Sequence, residues 1–442
     1  MILCLCLKVR WKAVKKPVEN KITYIENEIL GEGYYSIDHK SGLKIFVYPK
    51  ADYTSAYAVF GTKYGSIDTR FKRSDRDTFT EIPAGTAHFL EHKLFESEEL
   101  DAFQRYAKTG AMANAFTSFD RTCYLFSCSG NFKENFEILL DFVRHPYFTE
   151  ETVRKEQGII GQEIDMYKDS PEWECLFNLL GAMYHTHPVK IDIAGTKDSI
   201  AQITADMLFS CYDTFYNLSN MALAVAGNIS LDEVIEIADR LLESDEDVTV
   251  ERAFEDEEDD IVTPYVEAKL SVATPVFAFG YKESFEGDIC SLSDIVAMNI
   301  ILDVVAGQMS ALYKELLDDG LINNSFSTEF FNGHRYASCI FSGESSDPQA
   351  VADRLKTAIA DFKEKGITAE EFEIVRKKQY GKTVRAFTDI DTVANALVVS
   401  HFEGEELFSE FEVIKNLKLD YVNGLLKKCF NEDKACLSVI KN

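Results

Sequence analysis

Hydrophobic and polar positions alternate in ways that predict strands and helices along most of this chain. Two strand patterns, LKIFVYPK and YAVFGTKYG, come first. Residues 85–109 then have the spacing of a helix, and residues 111–128 predict a β-hairpin with its turn near Phe119 and Asp120. Further helices are predicted over 131–145, 149–168, 173–185, 199–216 and 231–243, with a strand over 221–226.

The second half of the chain repeats this order of elements. A strand pattern within 271–281 begins it, and the strand ACLSVIK ends it. The predicted elements between them are helices over 289–304 and 307–318, strands over 325–331 and 335–342, and helices over 348–365, 368–387, 390–403 and 416–430. An offset of 222 residues aligns Gly85 with Gly307, Leu90 with Leu312, Arg154 with Arg376, Lys155 with Lys377 and Gln157 with Gln379. This shared register predicts two related α+β domains, each with helices packed on an antiparallel sheet.

The acidic run EDEEDD, residues 255–260, predicts the boundary between these domains. A length of 442 residues is also more than one ordinary core needs. The predicted organisation is an N-terminal extension over 1–20, an α+β domain over 21–250, an acidic linker over 251–262 and a related α+β domain over 263–442.

The composition of the chain argues against some classes of binding partner. The chain has 46 Lys and Arg against 74 Asp and Glu, a net charge of −28, which disfavours nucleic acid and anionic membrane surfaces as partners. The negative charge suits a cationic ligand such as a basic peptide, but it is equally consistent with solubility alone. Three features predict a cytoplasmic protein without a secretory signal or disulfides. The cysteines are scattered, no long apolar run is present, and the apolar segment 1–7 precedes the basic residues near the N-terminus instead of following them.

The sequence HFLEH, residues 88–92, is the strongest indication of chemistry. His88 and His92 are four residues apart on a predicted helix, so their rings lie on one face and can share a metal ion. Glu91 lies between them and can take a proton from water without being a ligand. The alternative is that two surface histidines have this spacing by chance. The remaining histidines, His39, His145, His185, His187, His334 and His401, are more typical of structural or loop positions.

A catalytic zinc ion usually has three protein ligands, so a third must come from another element. The predicted helix 149–168 carries Glu156 and Glu163, which are two turns apart on one face. One of them could bind the metal while the other orients a neighbour. By themselves they could equally be ordinary surface acids.

HFLEH followed by this E…E helix resembles the pitrilysin/insulinase family of inverted-motif zinc peptidases. The similarity is greatest to bacterial members related to the mitochondrial processing peptidase. ANAFTSFDRTCYLF, HPVKIDIAGTKDSI and FYNLSNMALAVAGNI resemble other family segments, so the resemblance covers nearly the whole chain.

The resemblance implies a zinc-dependent endopeptidase for extended, unfolded peptides, with two related domains that enclose a peptide chamber. It implies Zn²⁺ ligands at His88, His92 and Glu163, a general base at Glu91, and at Glu156 a carboxylate that supports the catalytic set. It also implies that one strand binds the substrate backbone through Asn114, Ala115, Phe116 and Thr117.

The second half departs from the family pattern. At the 222-residue offset the metal-site positions hold Ser310, Tyr313, Lys314, Lys378 and Arg385, which cannot form the same zinc site. The resemblance also implies an Arg and a Tyr that contact substrate, but this chain has Leu317 and Asn323 at those positions.

Three hypotheses account for the missing Arg and Tyr. The chain could be the metal-bearing subunit of a heterodimer whose homologous, metal-free partner supplies them, or it could form a homodimer. It could instead be a non-catalytic peptide-binding scaffold that retains a structural zinc. A third hypothesis is an enzyme in which His334, Arg335 or Tyr336 replaces the pair.

Overall fold

The computed structural model describes residues 19–246 and 248–442. The cysteines Cys4 and Cys6, the apolar segment 1–7 and nearly all of the predicted extension 1–20 lie outside the described residues.

The regular elements follow the predicted order with several additions. The strands are β1 (Lys21–Asn27), β2 (Glu32–Asp38), β3 (Lys44–Pro49), β4 (Ala56–Thr62), β5 (Arg70–Arg73), β6 (Thr80–Glu81), β7 (Met112–Thr117), β8 (Thr122–Cys128), β9 (Met221–Gly227), β10 (Val250–Arg252), β11 (Tyr265–Lys269), β12 (Val276–Glu283), β13 (Ser327–Gly333), β14 (Tyr336–Glu344) and β15 (Ala435–Lys441). The helices are α1 (Thr86–Leu94), α2 (Ala102–Thr109), α3 (Phe132–Arg144), α4 (Glu150–Lys168), α5 (Pro171–Met183), α6 (Lys197–Ile200), α7 (Ala205–Phe215), α8 (Leu231–Leu241), α9 (Leu292–Ala306), α10 (Ala311–Asp318), α11 (Pro348–Lys365), α12 (Ala369–Ala386), α13 (Ile390–Glu403), α14 (Ser409–Asn416) and α15 (Leu419–Lys428).

The chain folds into two compact units, each assembled from separate stretches of sequence. The first contains the described part of Met1–Ile160 together with Ile193–Phe254 and Asp389–Glu405. The second contains Gly161–Asp192, Glu255–Thr388 and Glu406–Asn442. The first division point falls inside α4, which nevertheless continues as one unbroken helix.

The large sheets of the two units share a five-strand order, β3-β9-β4-β8-β7 in the first and β11-β15-β12-β14-β13 in the second, as expected for related α+β domains. Among the described residues, the large sheet of the first unit has the order β1-β2-β3-β9-β4-β8-β7, and that of the second has the order β11-β15-β12-β14-β13. Each has one parallel pair, β3 with β9 and β11 with β15, within an otherwise antiparallel sheet. The predicted fold class is therefore confirmed, with a mixed rather than purely antiparallel sheet in each unit.

Each sheet is covered by a helix from the other half of the sequence. α13 packs against β4 and β9 in the first unit, whereas α5 packs against β12 and β15 in the second. The compact units therefore do not coincide with continuous stretches of the sequence. The domains predicted over 21–250 and 263–442 stay a prediction.

Three predicted helices were wrong in extent. The helix predicted over 85–109 is broken between Leu94 and Ala102, because Asp101 caps the start of α2 by accepting a hydrogen bond from the Gln104 N–H at 2.7 Å. The helix predicted over 199–216 is two helices, α6 and α7. The helix predicted over 416–430 is the shorter α15, and α14 before it was not predicted.

Within the described residues, no single helix is both long and apolar enough to cross a membrane. The pair α9 and α10, bent by 41°, meets that test only when the two helices are joined, and only by length and composition.

Candidate metal and catalytic site

The helix that carries HFLEH is held at its start by a close backbone approach. Gly85, which precedes α1, has φ of +88°, and a Cβ there would lie 2.4 Å from the carbonyl oxygen of Ala194. Gly195 has φ of +74°, and its Cβ would lie 2.5 Å from the carbonyl oxygen of Ala84. Only glycine fits both positions without moving the chain. This contact fixes where α1 begins and therefore where its side chains lie.

His88 and His92 project from one face of α1, as their spacing predicts. Their ring centroids are 4.5 Å apart. His88 is 8% exposed, and burial, with a smaller contribution from His92, lowers its pKa to about 3. His88 is therefore neutral near pH 7 and keeps the nitrogen lone pair that a metal ion requires.

Helix α4 brings the predicted third ligand to these histidines. One ligand atom from each of His88, His92 and Glu163 lies within 4.8 Å of the other two. The Glu163 carboxylate accepts a hydrogen bond at 2.9 Å from the hydroxyl of Tyr167, one turn further along α4. Two imidazoles and a carboxylate are a donor set that zinc prefers, so these residues fit a metal ion.

Glu156, two turns before Glu163 on α4, contacts the metal-binding group through His92. Its carboxylate is 5% exposed and accepts a hydrogen bond from Nδ1 of His92 at 2.9 Å. Because a carboxylate only accepts, the His92 proton is on Nδ1 and the lone pair is on Nε2. Glu156 thus orients the His92 ring.

We expect Glu156→Gln to weaken zinc binding by about tenfold, at the lower end of the range for such supporting residues, because an amide is a weaker acceptor for the Nδ1 proton than a carboxylate. Competition with a chromogenic chelator at fixed pH measures the change. Glu151→Gln removes an exposed acid from the same helix and serves as the control. Equal zinc affinity in the two variants would contradict the role given to Glu156.

Glu91 is buried beside the two histidines and is oriented by the following hairpin. It is 8% exposed, and its Oε2 accepts a hydrogen bond from the Thr117 hydroxyl at 2.8 Å. Thr117 is the last residue of β7. The predicted general base and the predicted substrate strand are therefore joined by a direct contact.

Strand β7, which contains Asn114, Ala115, Phe116 and Thr117, forms one edge of the large sheet. Among the described strands it pairs only with β8, in antiparallel register from Met112 opposite Ser127 to Thr117 opposite Thr122. Its outer side can accept a further strand.

Sequence reasoning missed a group of residues that follow α1 and line a neighbouring cavity. Phe95, Glu96, Glu99, Asp101 and Phe103 line a cavity together with Glu91 and His92. They were hidden because 85–109 was interpreted as one helix. The pattern Asp101-x-x-Gln104, which is typical of a helix start, could have revealed the break.

The second unit gives structural roles to the positions that match the metal site. Ser310 caps α10 by accepting a hydrogen bond from the Tyr313 N–H at 3.0 Å. Lys378 makes an ion pair with Asp303 at 2.7 Å. A different group in this unit, His185 with Glu258 and Asp260, also brings ligand atoms within 4.8 Å, but both of its acids are exposed.

Comparison with known proteins shows the family to which this chain belongs. The family model described as Insulinase (Peptidase family M16) matches residues 80–197, which include HFLEH, Glu156 and Glu163. YmfH of Bacillus subtilis, an uncharacterized zinc protease, is 38% identical over 416 residues, covering 93% of this chain and 97% of YmfH. This chain belongs to the insulinase family, peptidase family M16.

Other comparisons agree with this assignment. The model described as Peptidase M16 inactive domain matches residues 202–379 of this M16 chain. The crystal structure of an M16-like peptidase from Alicyclobacillus acidocaldarius has a TM-score of 0.87 and 32% identity, covering 98% of this chain and all of that one. Pitrilysin, at 14% identity and a TM-score of 0.75, shares the fold over 95% of this chain and 46% of its own.

Proposed function

We propose that this M16 chain is a zinc-dependent endopeptidase that hydrolyses extended, unfolded peptides. The observation that carries the proposal is the grouping of His88, His92 and Glu163, whose ligand atoms lie within 4.8 Å of one another. Glu91 lies on the same helix as the two histidines. The description of YmfH as a zinc protease supports zinc as the metal.

His88, His92 and Glu163 would hold the zinc ion. Bound by two imidazoles and one carboxylate, zinc supplies Lewis acidity that polarises a peptide carbonyl and lowers the pKa of water. Glu156 keeps the His92 ring in the orientation and tautomer that metal binding needs, and Tyr167 fixes the Glu163 carboxylate.

Glu91 is the proposed general base. Its carboxylate takes a proton from the attacking water as the oxygen–carbon bond forms, and it delivers that proton to the amide nitrogen as the carbon–nitrogen bond breaks. The hydrogen bond from the Thr117 hydroxyl holds Oε2 of Glu91 in place. Burial of Glu91 limits competition from bulk water for these contacts.

The outer edge of β7 is the proposed binding site for the substrate backbone. Asn114, Ala115, Phe116 and Thr117 can pair with an added strand through backbone N–H and C=O groups. A strand added there runs past Thr117, whose hydroxyl contacts Glu91. Only an extended segment can make these hydrogen bonds, so helical or folded substrates are excluded.

A homologous, metal-free partner subunit is proposed to complete the site. Leu317 is an exposed residue of α10, and Asn323 donates a hydrogen bond to the Glu344 carboxylate at 2.6 Å. Neither side chain can make the substrate contacts of the Arg and Tyr in the family pattern. The length of pitrilysin supports the proposal. This chain matches 46% of pitrilysin, so a second chain of similar size would make up the rest of that length. A homodimer is the alternative assembly.

The non-catalytic scaffold is the second candidate function. It is favoured by Leu317 and Asn323 and by the match of residues 202–379 to a family model described as inactive. It predicts zinc binding without hydrolysis in every assembly, including those that contain a homologous chain.

We expect the zinc-loaded chain to hydrolyse a library of unstructured peptides at least tenfold faster when a homologous metal-free subunit is added, because the partner restores the missing substrate contacts, which are each typically worth more than tenfold in rate. Mass-spectrometric assay of the library with and without partner, together with size-exclusion chromatography, makes the measurement. Full turnover by the monomer alone would contradict the heterodimer, whereas hydrolysis by a self-associated form would favour the homodimer.

A further inference from the structure

Helix α4, which carries the proposed zinc ligand Glu163, ends in a two-residue turn that leads directly into α5. The turn forms because a residue before proline, here Ser170 with extended backbone angles, is held out of the helical conformation. Tyr167 therefore lies in the last turn of α4 and Trp173 in the first turn of α5. Their rings stack with centroids 4.8 Å apart and an angle of 20° between the planes.

This aromatic pair is joined to the Glu163 carboxylate at one end and to an acidic side chain at the other. The Tyr167 hydroxyl donates a hydrogen bond to Oε1 of Glu163 at 2.9 Å. The Trp173 indole N–H donates a hydrogen bond to Oδ2 of Asp192 at 2.6 Å. The four side chains thus form one continuous series of contacts, and all four lie in the second unit.

The indole of Trp173 is confined by residues from two stretches of the chain. Phe177, one turn further along α5, packs against it with ring centroids 5.2 Å apart. Asp192 follows the short 3₁₀ helix Pro188–Lys190, so its hydrogen bond fixes the indole to a second backbone segment. A hydrogen bond to a carboxylate is stronger than one between neutral groups. Trp173 is therefore a fixed surface against which the Tyr167 ring stacks.

The position of the Tyr167 hydroxyl affects how the Glu163 carboxylate is oriented. The last torsion of a glutamate side chain has little preference of its own, and both Glu163 and Tyr167 are only partly buried. We propose that Trp173 and Asp192 are positioning residues, which hold Tyr167 so that its hydroxyl keeps Glu163 in the orientation that zinc binding needs. They act through Tyr167 and are not ligands themselves. The inference rests on the proposed zinc peptidase function and adds two residues that support its metal site.

Trp173→Phe tests the role of the indole N–H, because phenylalanine keeps an aromatic ring beside Tyr167 but has no donor for Asp192. Competition with a chromogenic chelator on the full chain measures zinc affinity, and thermal unfolding of the metal-free chain measures stability separately. We expect Tyr167→Phe to weaken zinc binding about tenfold, at the lower end of the range for residues that support a ligand. Trp173→Phe should weaken it less, about three- to fivefold, because it acts one contact further from the metal.

The double variant distinguishes positioning from independent packing effects. If Trp173 acts through Tyr167, the double variant binds zinc no more weakly than Tyr167→Phe alone, whereas independent effects would multiply to about thirty- to fiftyfold. Asp192→Ala should reproduce the effect of Trp173→Phe. Asp192→Asn keeps an acceptor oxygen for the indole N–H, so it should stay within about twofold of wild type.

Tyr265→Phe is the matched control. The Tyr265 hydroxyl also donates a hydrogen bond to a carboxylate, that of Glu267, at 2.6 Å on β11 of the same unit. The control variant loses the same kind of hydrogen bond at a position outside the metal-binding group, so it should bind zinc as wild type does.

Unchanged zinc affinity in either single variant, or effects that multiply in the double variant, would overturn the inference. Its failure is distinguishable from failure of the proposed function. Zinc binding and hydrolysis that do not depend on Trp173 reject only the positioning role, whereas zinc affinity that depends on Trp173 without hydrolysis in any assembly rejects only the peptidase. The absence of zinc binding by the native chain would reject both.

Discussion

Glu91→Gln should reduce peptide hydrolysis by about 10²–10⁴-fold, the usual contribution of a general base, while zinc affinity stays within a few-fold of wild type. The amide is nearly the same size as the carboxylate and can still accept the Thr117 hydrogen bond, but it cannot take the proton from water. Steady-state kinetics on a peptide that the wild-type assembly cleaves, with metal analysis of both proteins, measures the two effects separately.

The control for Glu91→Gln is Glu98→Gln, which makes the same chemical change at an exposed position and should keep wild-type turnover. Loss of zinc together with hydrolysis in Glu91→Gln would mean that Glu91 acts on the metal site rather than on the proton. Unchanged hydrolysis would remove Glu91 from the mechanism.

His92→Ala should lower bound zinc from about one ion per chain to nearly none and abolish hydrolysis, because two remaining ligands hold zinc poorly. His92 is preferred to His88 for this test because its side chain is 24% exposed, so its removal disturbs packing less. Metal analysis after gel filtration, with thermal unfolding to verify the fold, measures the change.

His145→Ala is the matched control for His92→Ala, since the His145 side chain is 73% exposed and its Nδ1 likewise contacts a carboxylate, that of Asp141, at 2.9 Å. It should retain zinc and hydrolysis. Stoichiometric zinc in His92→Ala would show that the ion binds elsewhere, for which the group His185, Glu258 and Asp260 is the first place to look.

The placement of His88 and His92 on one helix face could be anticipated because its determinant is local, whereas Glu163 was expected as the third ligand only from the family resemblance. Spacing of four residues on a helix places His88 and His92 on one face wherever that helix lies. Glu156 and Glu163 are likewise fixed relative to each other by two helical turns. The hairpin of β7 and β8 was predicted correctly for the same reason, since alternation and a turn are properties of neighbouring residues.

The contacts that orient the site could not be predicted, because they join residues distant in sequence. Nothing in the neighbourhood of Thr117 indicates that its hydroxyl reaches Glu91, 26 residues earlier. The close approach of Gly85 and Gly195 depends in the same way on two separate loops. Amphipathic patterns show that α5 and α13 each bury a face, but not which sheet each one covers.

The break after Leu94 is an intermediate case. The segment 95–101 consists mostly of residues that helices accept, so propensity favours continuing α1. The structure instead ends the helix there and starts α2 with the Asp101 cap. That break creates the loop whose side chains line the cavity, so an error in one element boundary concealed these residues.

Zinc titration of the metal-free chain, assembled with the proposed homologous subunit, shows directly whether hydrolysis depends on a bound zinc ion. Hydrolysis of an unstructured peptide is followed as zinc is added. We expect activity to rise in proportion to zinc, to reach a plateau near one ion per metal-bearing chain, and to be absent throughout in Glu91→Gln. Activity that is independent of zinc, or a full complement of bound zinc without hydrolysis in any assembly, would contradict this expectation.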